Sequence, residues 1–281
     1  MIDLHTHTTC SDGTDTPREL VNKAIVQGLE VLGISDHDTT SGWAEATESL
    51  RGSLKLALGS EISCLTNDGV SVHMLGLLFD PEHEEMQRVL EETRDGRLPR
   101  MRKMIEKMRA EGMDISIEDV EQAMPVGATM GRPHLADALV AKKIVKSRDE
   151  AFVDLLHNES RFYVSHAAPT PTEAIKLIRQ AGGVAVIAHP FASRRGQILG
   201  VEDFADLVTA GLNGIEVDHR DQNPSERAVL RVIAAELDLV VTGSSDYHGT
   251  GKLNSLAENH TDKAQWEKLE AQANARRVIS L

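Results

Sequence analysis

The chain has 281 residues and a formal charge of -14, with 41% hydrophobic and 26% charged residues. This length suits one large α/β domain or one domain with a small insertion, and the composition is that of an ordinary globular protein. The negative charge argues against sequence-independent binding to duplex DNA, because such binding depends on basic surfaces that release counterions.

Cysteine content and hydropathy indicate the compartment. The two cysteines, Cys10 and Cys64, do not suggest a disulfide framework. No apolar run approaches the ~20 residues of a membrane span, and the amino-terminal segment lacks the basic and then apolar layout of a signal peptide. We therefore expect a cytoplasmic protein without a membrane partner.

The first predicted strand, at residues 2–5, ends in two histidines. His5 and His7 are separated by one residue, so in extended backbone both side chains point the same way and can reach a common point. A chance pair of surface histidines would give the same short pattern. Taken alone, this pair leaves both interpretations open.

Short β-rich segments then alternate with helical ones, which is typical of a parallel sheet with crossover helices. A helix is expected to begin near Thr16 and Pro17, because threonine is a favoured N-cap and proline is favoured at the first helical position. Another is expected near Thr40. The predicted strands are 2–5, 31–35, 56–62, 70–79, 184–189, 214–217 and 239–244. Strands in this number and arrangement predict a barrel.

Residues 81–166 interrupt this alternation. Apolar residues recur there at spacings near three and four, as in Met101, Met104 and Met108, and no segment resembles a strand. About 85 residues without a strand are too many for one crossover of a barrel of ~250 residues. We therefore predict an all-helical insertion, or cap domain, at 81–166, within a barrel formed by 1–80 and 167–281.

Polar residues follow the predicted strands one after another. In parallel α/β barrels the carboxyl ends of the strands converge on one face, where active sites lie. One histidine there is more often part of the core than a metal ligand, but imidazoles and carboxylates are costly to bury unless they are paired with each other or with cations. The residues concerned are His5, His7, Asp12, Asp36, His37, Glu61, His73, His189, Asp246 and His248. Their number favours a metal site.

The same motifs, in the same order, resemble those of the PHP (polymerase and histidinol phosphatase) family over nearly the whole chain. They are HTH at 5–7, SDG at 11–13, DHD at 36–38, GSE at 59–61, VHMLG at 72–76, AHP at 188–190 and SDYH at 245–248. Within the family the chain is most similar to stand-alone phosphoesterases that act on nucleoside 3′,5′-bisphosphates and on 5′ ends of short RNA. The resemblance implies a distorted (β/α)7 TIM-like barrel, with the helical insertion in the same place, and phosphoesterase activity.

The resemblance also implies two to three divalent metal ions. It assigns His5, His7, Glu61 and Asp246 to the first metal, Glu61, His73 and His189 to the second, and Asp12, His37 and His248 to the third. Mixed imidazole and carboxylate ligands suit Mn, Fe or Zn better than Ca or Mg, but ligand type does not choose among them. We therefore leave Mn, Zn, Fe and Mg open.

A two-metal mechanism follows from these ligand sets. Two metals about 3.5 to 4 Å apart can hold a bridging hydroxide and stabilise both the entering and the leaving oxygens of an attack on phosphorus. Glu61 would be shared by that pair. No serine or cysteine lies beside a free base in these motifs, so we expect no covalent nucleophile. Three candidates remain for the proton donor to the leaving group: Asp36, His219 and a metal-bound water.

Cations of the insertion are candidates for substrate contacts. Arg97 and Arg132 could each bond two phosphate oxygens through the planar guanidinium, and the resembling phosphoesterases carry arginine at matching places. Solvated charges on helix surfaces are the alternative. His134 and His166 are further candidates. We expect a small phosphorylated substrate, a nucleotide or a short RNA 5′ end, and Glu216 is a candidate contact to a histidine ligand.

Three alternatives stay open. Histidinol phosphate hydrolysis is a second activity within the family. A metal-stabilised, non-catalytic interaction module is of another class and would be recognised by missing ligands, but all nine ligand positions are filled. Amide hydrolysis at a related metal barrel usually requires a carbamylated lysine, and no predicted strand end offers one.

Overall fold

The computed structural model describes residues 1–165, 167–193 and 196–281. In these ranges seven strands form one sheet in chain order. They are β1 (Ile2–Asp3), β2 (Val31–Ile34), β3 (Lys55–Leu65), β4 (Ser71–Leu77), β5 (Val184–Ala188), β6 (Gly214–Asp218) and β7 (Val240–Gly243). The outer strands meet where Thr6 bridges to Tyr247 and the His7 amide donates to the Tyr247 carbonyl at 2.8 Å. The barrel is therefore nearly closed.

Eleven α-helices connect these strands in the described ranges. They are α1 (Pro17–Gln27), α2 (Trp43–Ser49), α3 (Glu84–Asp95), α4 (Arg97–Ala110), α5 (Ile117–Ala123), α6 (Arg132–Ala141), α7 (Arg148–Ala151), α8 (Pro171–Gln180), α9 (Asp203–Ala210), α10 (Pro224–Glu236) and α11 (Lys263–Glu270). The start of α1 is as predicted, because Thr16 caps it and Pro17 opens it. The predicted distorted (β/α)7 TIM-like barrel is confirmed.

The distortion lies at β4, which differs from the parallel sheet that the alternation predicts. β4 runs antiparallel to both of its neighbours. A tight connection at residues 66–70 joins it to β3, and so short a connection can join only antiparallel strands. His73 therefore does not follow a strand's carboxyl end; it lies near the start of β4, opposite Ser63 of β3. The reversal still brings His73 to the same edge of the barrel.

Alternate residues of the strands contribute to two apolar layers. Val184, Val186 and Ala188 of β5 belong to an inner cluster that also contains Trp266 and Leu269 of α11. Intervening strand residues pack outward against the crossover helices, as period-two alternation in a strand requires. The aliphatic interior leaves the polar residues concentrated at the strand ends and in the adjoining loops.

The helices between β4 and β5 divide between two cores. Met86 and Leu90 of α3 pack in the outer layer of the barrel. A separate cluster of buried residues extends from Met101 in α4 to Phe162 and includes a π-helical turn at Phe152–Leu156. In the described parts of residues 78–183 no strand occurs. The domain boundaries at 81 and 166 stay a prediction.

None of the helices in the described ranges is both long enough and apolar enough to cross a membrane. The cytoplasmic location stays a prediction.

Candidate metal centre

Glu61 lies at the centre of the polar cluster. This carboxylate is 1% exposed, and both of its oxygens are surrounded by imidazole nitrogens. The nitrogens are those of His73 at 2.7 Å, His7 at 3.1 Å, and His5, His37 and His189 at 3.2 Å. With five imidazoles around its buried carboxylate, Glu61 is the residue that could belong to more than one metal-ligand set.

One predicted ligand set comes together as a compact group. Ligand atoms of His5, His7, Glu61 and Asp246 all lie within 4.8 Å of one another, and all four residues are buried. Asp246 Oδ1 is 3.5 Å from His5 Nε2 and 3.4 Å from His7 Nε2. Two imidazoles and two carboxylates at these distances fit the ligand preferences of a first-row divalent metal.

A second group lies on the opposite side of His7. It contains Asp12, His37 and His248, as predicted for one metal, together with His7. Among the described residues, the buried atoms Asp12 Oδ1, His37 Nδ1 and His248 Nε2 make no well-aligned hydrogen bond. Asp12 Oδ1 lies 3.1 Å from His248 Nε2, and His37 Nδ1 lies 3.2 Å from Glu61. Buried polar atoms normally have a partner. Three potential ligand atoms without a well-aligned hydrogen bond, in a group this compact, fit a bound cation.

The remaining predicted set, Glu61, His73 and His189, is brought together around Glu61, and the two histidine rings lie 5.4 Å apart. The compact groups of ligand atoms there are arranged differently. His73 groups with Glu61 and His37, and His189 groups with His5 and Glu216. The structure thus places both histidines at the cluster without selecting one ligand set for them.

The balance of burial and nearby charge raises the pKa of some histidines of the cluster and lowers that of others. Burial opposes protonation of His5 and His7, but the carboxylates of Glu61 and Asp246 outweigh it, so the pKa of His5 lies well above its ordinary value and that of His7 is about 9. Burial lowers the pKa of His37 to about 3 and that of His248 to about 4. The carboxylates therefore favour protonation of the first pair and burial disfavours protonation of the second, and only neutral imidazole is a metal ligand.

Glu216 supports the cluster from β6, which confirms the predicted contact to a histidine. Its Oε1 accepts a hydrogen bond from His5 Nδ1 at 3.0 Å, and its Oε2 accepts one from the His189 backbone amide at 2.9 Å. The proton on Nδ1 leaves His5 Nε2 as the nitrogen that faces Glu61 and Asp246. Carboxylates in this position orient metal-binding histidines and raise their basicity.

Asp36, a predicted candidate for proton donation, braces the loop that follows β1. Its carboxylate accepts hydrogen bonds from the Thr8 amide and hydroxyl, both at 2.7 Å, and from the Ser11 hydroxyl at 2.6 Å. Burial raises its pKa. In the same loop, a side chain at Gly13 would collide with the His7 carbonyl, so the motif requires glycine there. The loop thereby holds Asp12 beside His7.

His219, the other predicted candidate, is buried behind Asp246. The Asp221 amide donates to its Nδ1 at 3.0 Å, so the proton of a neutral ring is on Nε2. That nitrogen lies 3.3 Å from Asp246 Oδ2 and donates to it. Both candidates therefore hold other parts of the cluster through hydrogen bonds, and their role as proton donors stays a prediction.

Asp3 is a supporting residue that the sequence analysis missed. It is fully buried, and burial raises its pKa to about 6. Its carboxylate accepts hydrogen bonds from the Ser245 amide and hydroxyl and from the Ala257 amide, at 3.0, 2.6 and 2.8 Å. These bonds tie the loop that carries Asp246 to β1. An aspartate inside an apolar strand, two residues before His5, was the signal that could have revealed it.

Three of the seven non-glycine residues with positive φ angles in the described ranges lie at the cluster. Asp38, His189 and Asp246 have positive φ angles of 52°, 32° and 53°. Residues other than glycine rarely adopt positive φ angles, and such a conformation persists where the surrounding structure enforces it. The strain accompanies sharp turns directly after β2, β5 and β7, which direct side chains toward the cluster.

Arg97 is not a solvated surface charge, and its guanidinium is already paired. It is 8% exposed, and its guanidinium bonds the Asp38 carboxylate in a buried ion pair. It also donates to the Ser63 hydroxyl at 2.8 Å and to the Met130 carbonyl at 3.0 Å. Arg97 thus connects α4 of the insertion to the loop after β2 and to β3.

Arg132 and His134 occupy different positions at the start of α6. Arg132 lines an open cavity together with His73 and His189, and its guanidinium donates to Asn158 Oδ1 at 2.7 Å. His134 is 1% exposed, and its Nδ1 accepts from the Gly131 amide at 3.1 Å. Substrate contact stays a prediction for both residues and for Arg97. His166, also predicted to contact substrate, lies outside the described residues.

Two further cations, one in contact with the cluster and one beside the turn that follows it, occupy places that the motifs do not mark. Lys252 donates to Asp246 Oδ2 at 2.8 Å. Arg148 of α7 pairs with Asp137 through both carboxylate oxygens and donates to the Gly251 carbonyl at 3.1 Å. Isolated lysines and arginines carry no spacing signal, so the sequence analysis did not find them.

Known proteins are similar to this chain over most of its length. A model of the PHP domain matches residues 3–142. The 3′,5′-nucleoside bisphosphate phosphatase of Chromobacterium violaceum is 31% identical over 277 residues, which cover 96% of both chains. This chain belongs to the PHP family. The 5′-3′ exoribonuclease of Haemophilus influenzae is 34% identical to this PHP protein over 249 residues, covering 88% of this chain and 89% of the relative.

A solved structure supports the same assignment. A protein of Bifidobacterium adolescentis, provisionally described as a metal-dependent phosphoesterase, superposes on this PHP chain with a TM-score of 0.90 and 41% sequence identity. The match covers 97% of this chain and 96% of that protein. The two proteins therefore share their fold over nearly the whole chain.

Proposed function

We propose that this PHP protein is a metal-dependent hydrolase of phosphate esters whose substrate is a nucleotide, such as a nucleoside 3′,5′-bisphosphate, or the 5′ end of a short RNA. The observation that carries the proposal is the position of Glu61, buried and within 3.2 Å of nitrogens of five histidines. Bound cations would stabilise so many buried imidazoles and carboxylates. The phosphatase and exoribonuclease relatives support this substrate class.

Two to three divalent ions, drawn from Mn, Zn, Fe and Mg, fit the donor set. We assign His5, His7, Glu61 and Asp246 to one ion, Asp12, His37 and His248 to another, and Glu61, His73 and His189 to the third. The buried atoms of Asp12, His37 and His248 that make no well-aligned hydrogen bond support the second of these sites. When bound, such ions activate water for attack on phosphorus and stabilise the charge that develops on the phosphate oxygens.

The protein's own groups would set the geometry of this reaction. Glu61 would hold two of the sites at a fixed separation, because its two oxygens face different sets of histidines. Glu216 would keep His5 in the tautomer that presents Nε2. Asp36 and His219 would act on the leaving group only if they gave up the hydrogen bonds that they now make to the Thr8 loop and to Asp246.

The helical insertion would provide the residues that bind the substrate. We propose that residues 81–166 cover the metal centre and that Arg132, which lines a cavity with His73 and His189, binds the part of the substrate next to the reacting phosphate. The stacking of its guanidinium over Phe152 and Tyr163, at 5.7 and 5.4 Å, supports a fixed orientation. Arg97 would contribute mainly by anchoring α4 to the barrel through Asp38.

A phosphate-release screen tests the proposal. The metal-loaded protein is assayed with adenosine 3′,5′-bisphosphate, AMP, histidinol phosphate and a short 5′-phosphorylated RNA, with Mn supplied and metal content measured. Release from a nucleotide or the RNA is expected. Release of phosphate from histidinol phosphate alone would show that the proposed substrate class is wrong. If metals are bound and no substrate releases phosphate, the proposal is overturned.

A variant of Glu61 tests the assignment of the centre. Glu61→Gln preserves size but removes the charge that the histidines share, so kcat/KM should fall by more than about a hundredfold while the circular dichroism spectrum is retained. Glu92→Gln, on the exposed surface of α3, is the matched control and should leave kcat/KM unchanged. Full activity of Glu61→Gln would contradict the metal assignment.

A further inference from the structure

The turn that follows the SDYH motif carries a lysine at the edge of the metal centre. A 3-10 turn at Gly249–Gly251 leads directly from His248 to Lys252. The Lys252 ammonium donates to Asp246 Oδ2 at 2.8 Å, and its side chain is 30% exposed whereas that of Asp246 is 1% exposed. Lys252 therefore places a positive charge where the buried cluster meets solvent.

Close packing fixes the position of this turn. A side chain at Gly249, where φ is +66°, would collide with the Thr14 hydroxyl, and one at Gly251 would collide with the Arg148 guanidinium. Arg148 also donates to the Gly251 carbonyl at 3.1 Å. The turn is thus held between the loop after β1 and helix α7 of the insertion, and this packing directs Lys252 to the centre.

Groups other than Lys252 also orient Asp246. His219, fully buried, donates to the same Oδ2 atom at 3.3 Å, and Asp3 anchors the adjacent Ser245 through two hydrogen bonds. An ammonium has three hydrogens to donate. Within the described part of the chain, Asp246 is the only hydrogen-bond acceptor of Lys252, so two donors of this partly exposed cation remain available beside the candidate metal ligands.

We propose that Lys252 binds an oxygen of the substrate phosphate while retaining its contact to Asp246. The inference rests on the proposed function and adds a specific phosphate-binding residue to it. A compact, mobile ammonium suits a phosphate oxygen as a point charge, and hydrogen bonds between charged groups are stronger than neutral ones. The dianion of a phosphate monoester carries the charge that such a cation recognises.

Variants of Lys252 test this role. Lys252→Met removes the charge and Lys252→Arg retains it. For the substrate identified by the screen, KM and the competitive inhibition constant of inorganic phosphate should both rise about tenfold to a hundredfold in Lys252→Met, since a charged hydrogen bond is lost. Lys252→Arg should recover part of the loss. Metal content, measured by mass spectrometry, should stay at the wild-type level in both variants.

The matched control is Lys142→Met. Lys142 is 32% exposed and lies 3.1 Å from Asp114, so it resembles Lys252 in exposure and pairing but belongs to the outer side of the insertion. Unchanged KM and phosphate inhibition in Lys252→Met would overturn the inference. Loss of metal from Lys252→Met would also overturn it, because Lys252 would then serve to hold Asp246.

The same experiment separates this inference from the proposed function. If the wild-type protein hydrolyses a substrate and Lys252→Met does so with equal constants, only the role of Lys252 fails. If the metal-loaded wild-type protein hydrolyses nothing, the proposed function fails. Calorimetric titration with inorganic phosphate would still decide whether Lys252 binds phosphate, because it requires no turnover.

Discussion

Glu216 and His5 form a buried hydrogen-bonded pair across the barrel. Glu216 Oε1 lies 3.0 Å from His5 Nδ1, and neither side chain is exposed to solvent. The residues are 211 positions apart in the chain. The pair connects β6 to the end of β1 and determines which nitrogen of His5 faces the centre, so it couples the fold of the barrel to the chemistry of its candidate metal site.

We expect Glu216→Gln to weaken metal binding by about tenfold to a hundredfold, as is usual for partners of metal-binding histidines. The glutamine keeps the shape of the side chain but no longer stabilises the ring of His5 by its charge. Competition with a chromophoric chelator measures the affinity. Glu173→Gln, in the exposed N-terminal turn of α8, is the control. Equal affinities for both variants would contradict the proposed role of Glu216.

The buried ion pair between Arg97 and Asp38 should contribute to stability. Asp38→Asn leaves the Arg97 charge buried without its partner, so the free energy of unfolding should fall by about 3 to 5 kcal/mol. Urea unfolding in the presence of EDTA measures the change. Asp218→Asn removes a partly exposed pair with Arg231 and should cost no more than about 1 kcal/mol. Similar costs for both variants would show that burial of the Arg97 pair is unimportant.

The stabilisation by Asp38 should depend on pH in one direction. Burial opposes ionisation of this carboxyl, but Arg97 outweighs it and lowers its pKa below the ordinary value. The folded protein therefore binds a proton at Asp38 less readily than the unfolded chain does. Its stabilisation is complete above the unfolded pKa of about 3.9 and is lost as the pH falls through the lower, folded pKa. The difference between wild type and Asp38→Asn should shrink over that range, and a constant difference would contradict the assignment.

Arg132→Met should weaken substrate binding more than turnover. Arg132 lines the cavity beside His73 and His189, so removal of its charge should raise KM about tenfold or more with a smaller change in kcat. Steady-state kinetics measures both constants, and thermal unfolding checks that the bonds to Leu156 and Asn158 are not needed for folding. Arg161→Met, on the exposed surface of the insertion, is the control. Unchanged KM in Arg132→Met would exclude this residue from the substrate site.

Two substrates can decide whether Asp36 or His219 protonates the leaving group. A p-nitrophenolate leaves without a proton, whereas a ribose hydroxyl requires one. Since both side chains are engaged in hydrogen bonds within the cluster, we expect Asp36→Asn and His219→Gln to reduce kcat equally on p-nitrophenyl phosphate and on AMP. A loss confined to AMP would identify the altered residue as the proton donor.

Much of the centre could be predicted from the chain because its signals are local. The pair His5 and His7 follows from period two in a strand, and the start of α1 follows from Thr16 and Pro17. Buried histidines and carboxylates at successive strand ends imply cations whatever the details of the fold. By contrast, nothing near Arg97 indicates that its partner is Asp38, 59 residues away.

The amino-acid sequence by itself determined the alternation of strands and helices, the helical character of the insertion and the residue types at the centre, because periodicity and side-chain chemistry are local properties. Only the tertiary structure decided the reversed direction of β4, the partner of Arg97 and the approach of Lys252 to Asp246. Each of these depends on contacts between segments that meet only when the barrel closes. The pairing of distant segments is governed by the packing of the whole chain, and no single segment encodes it.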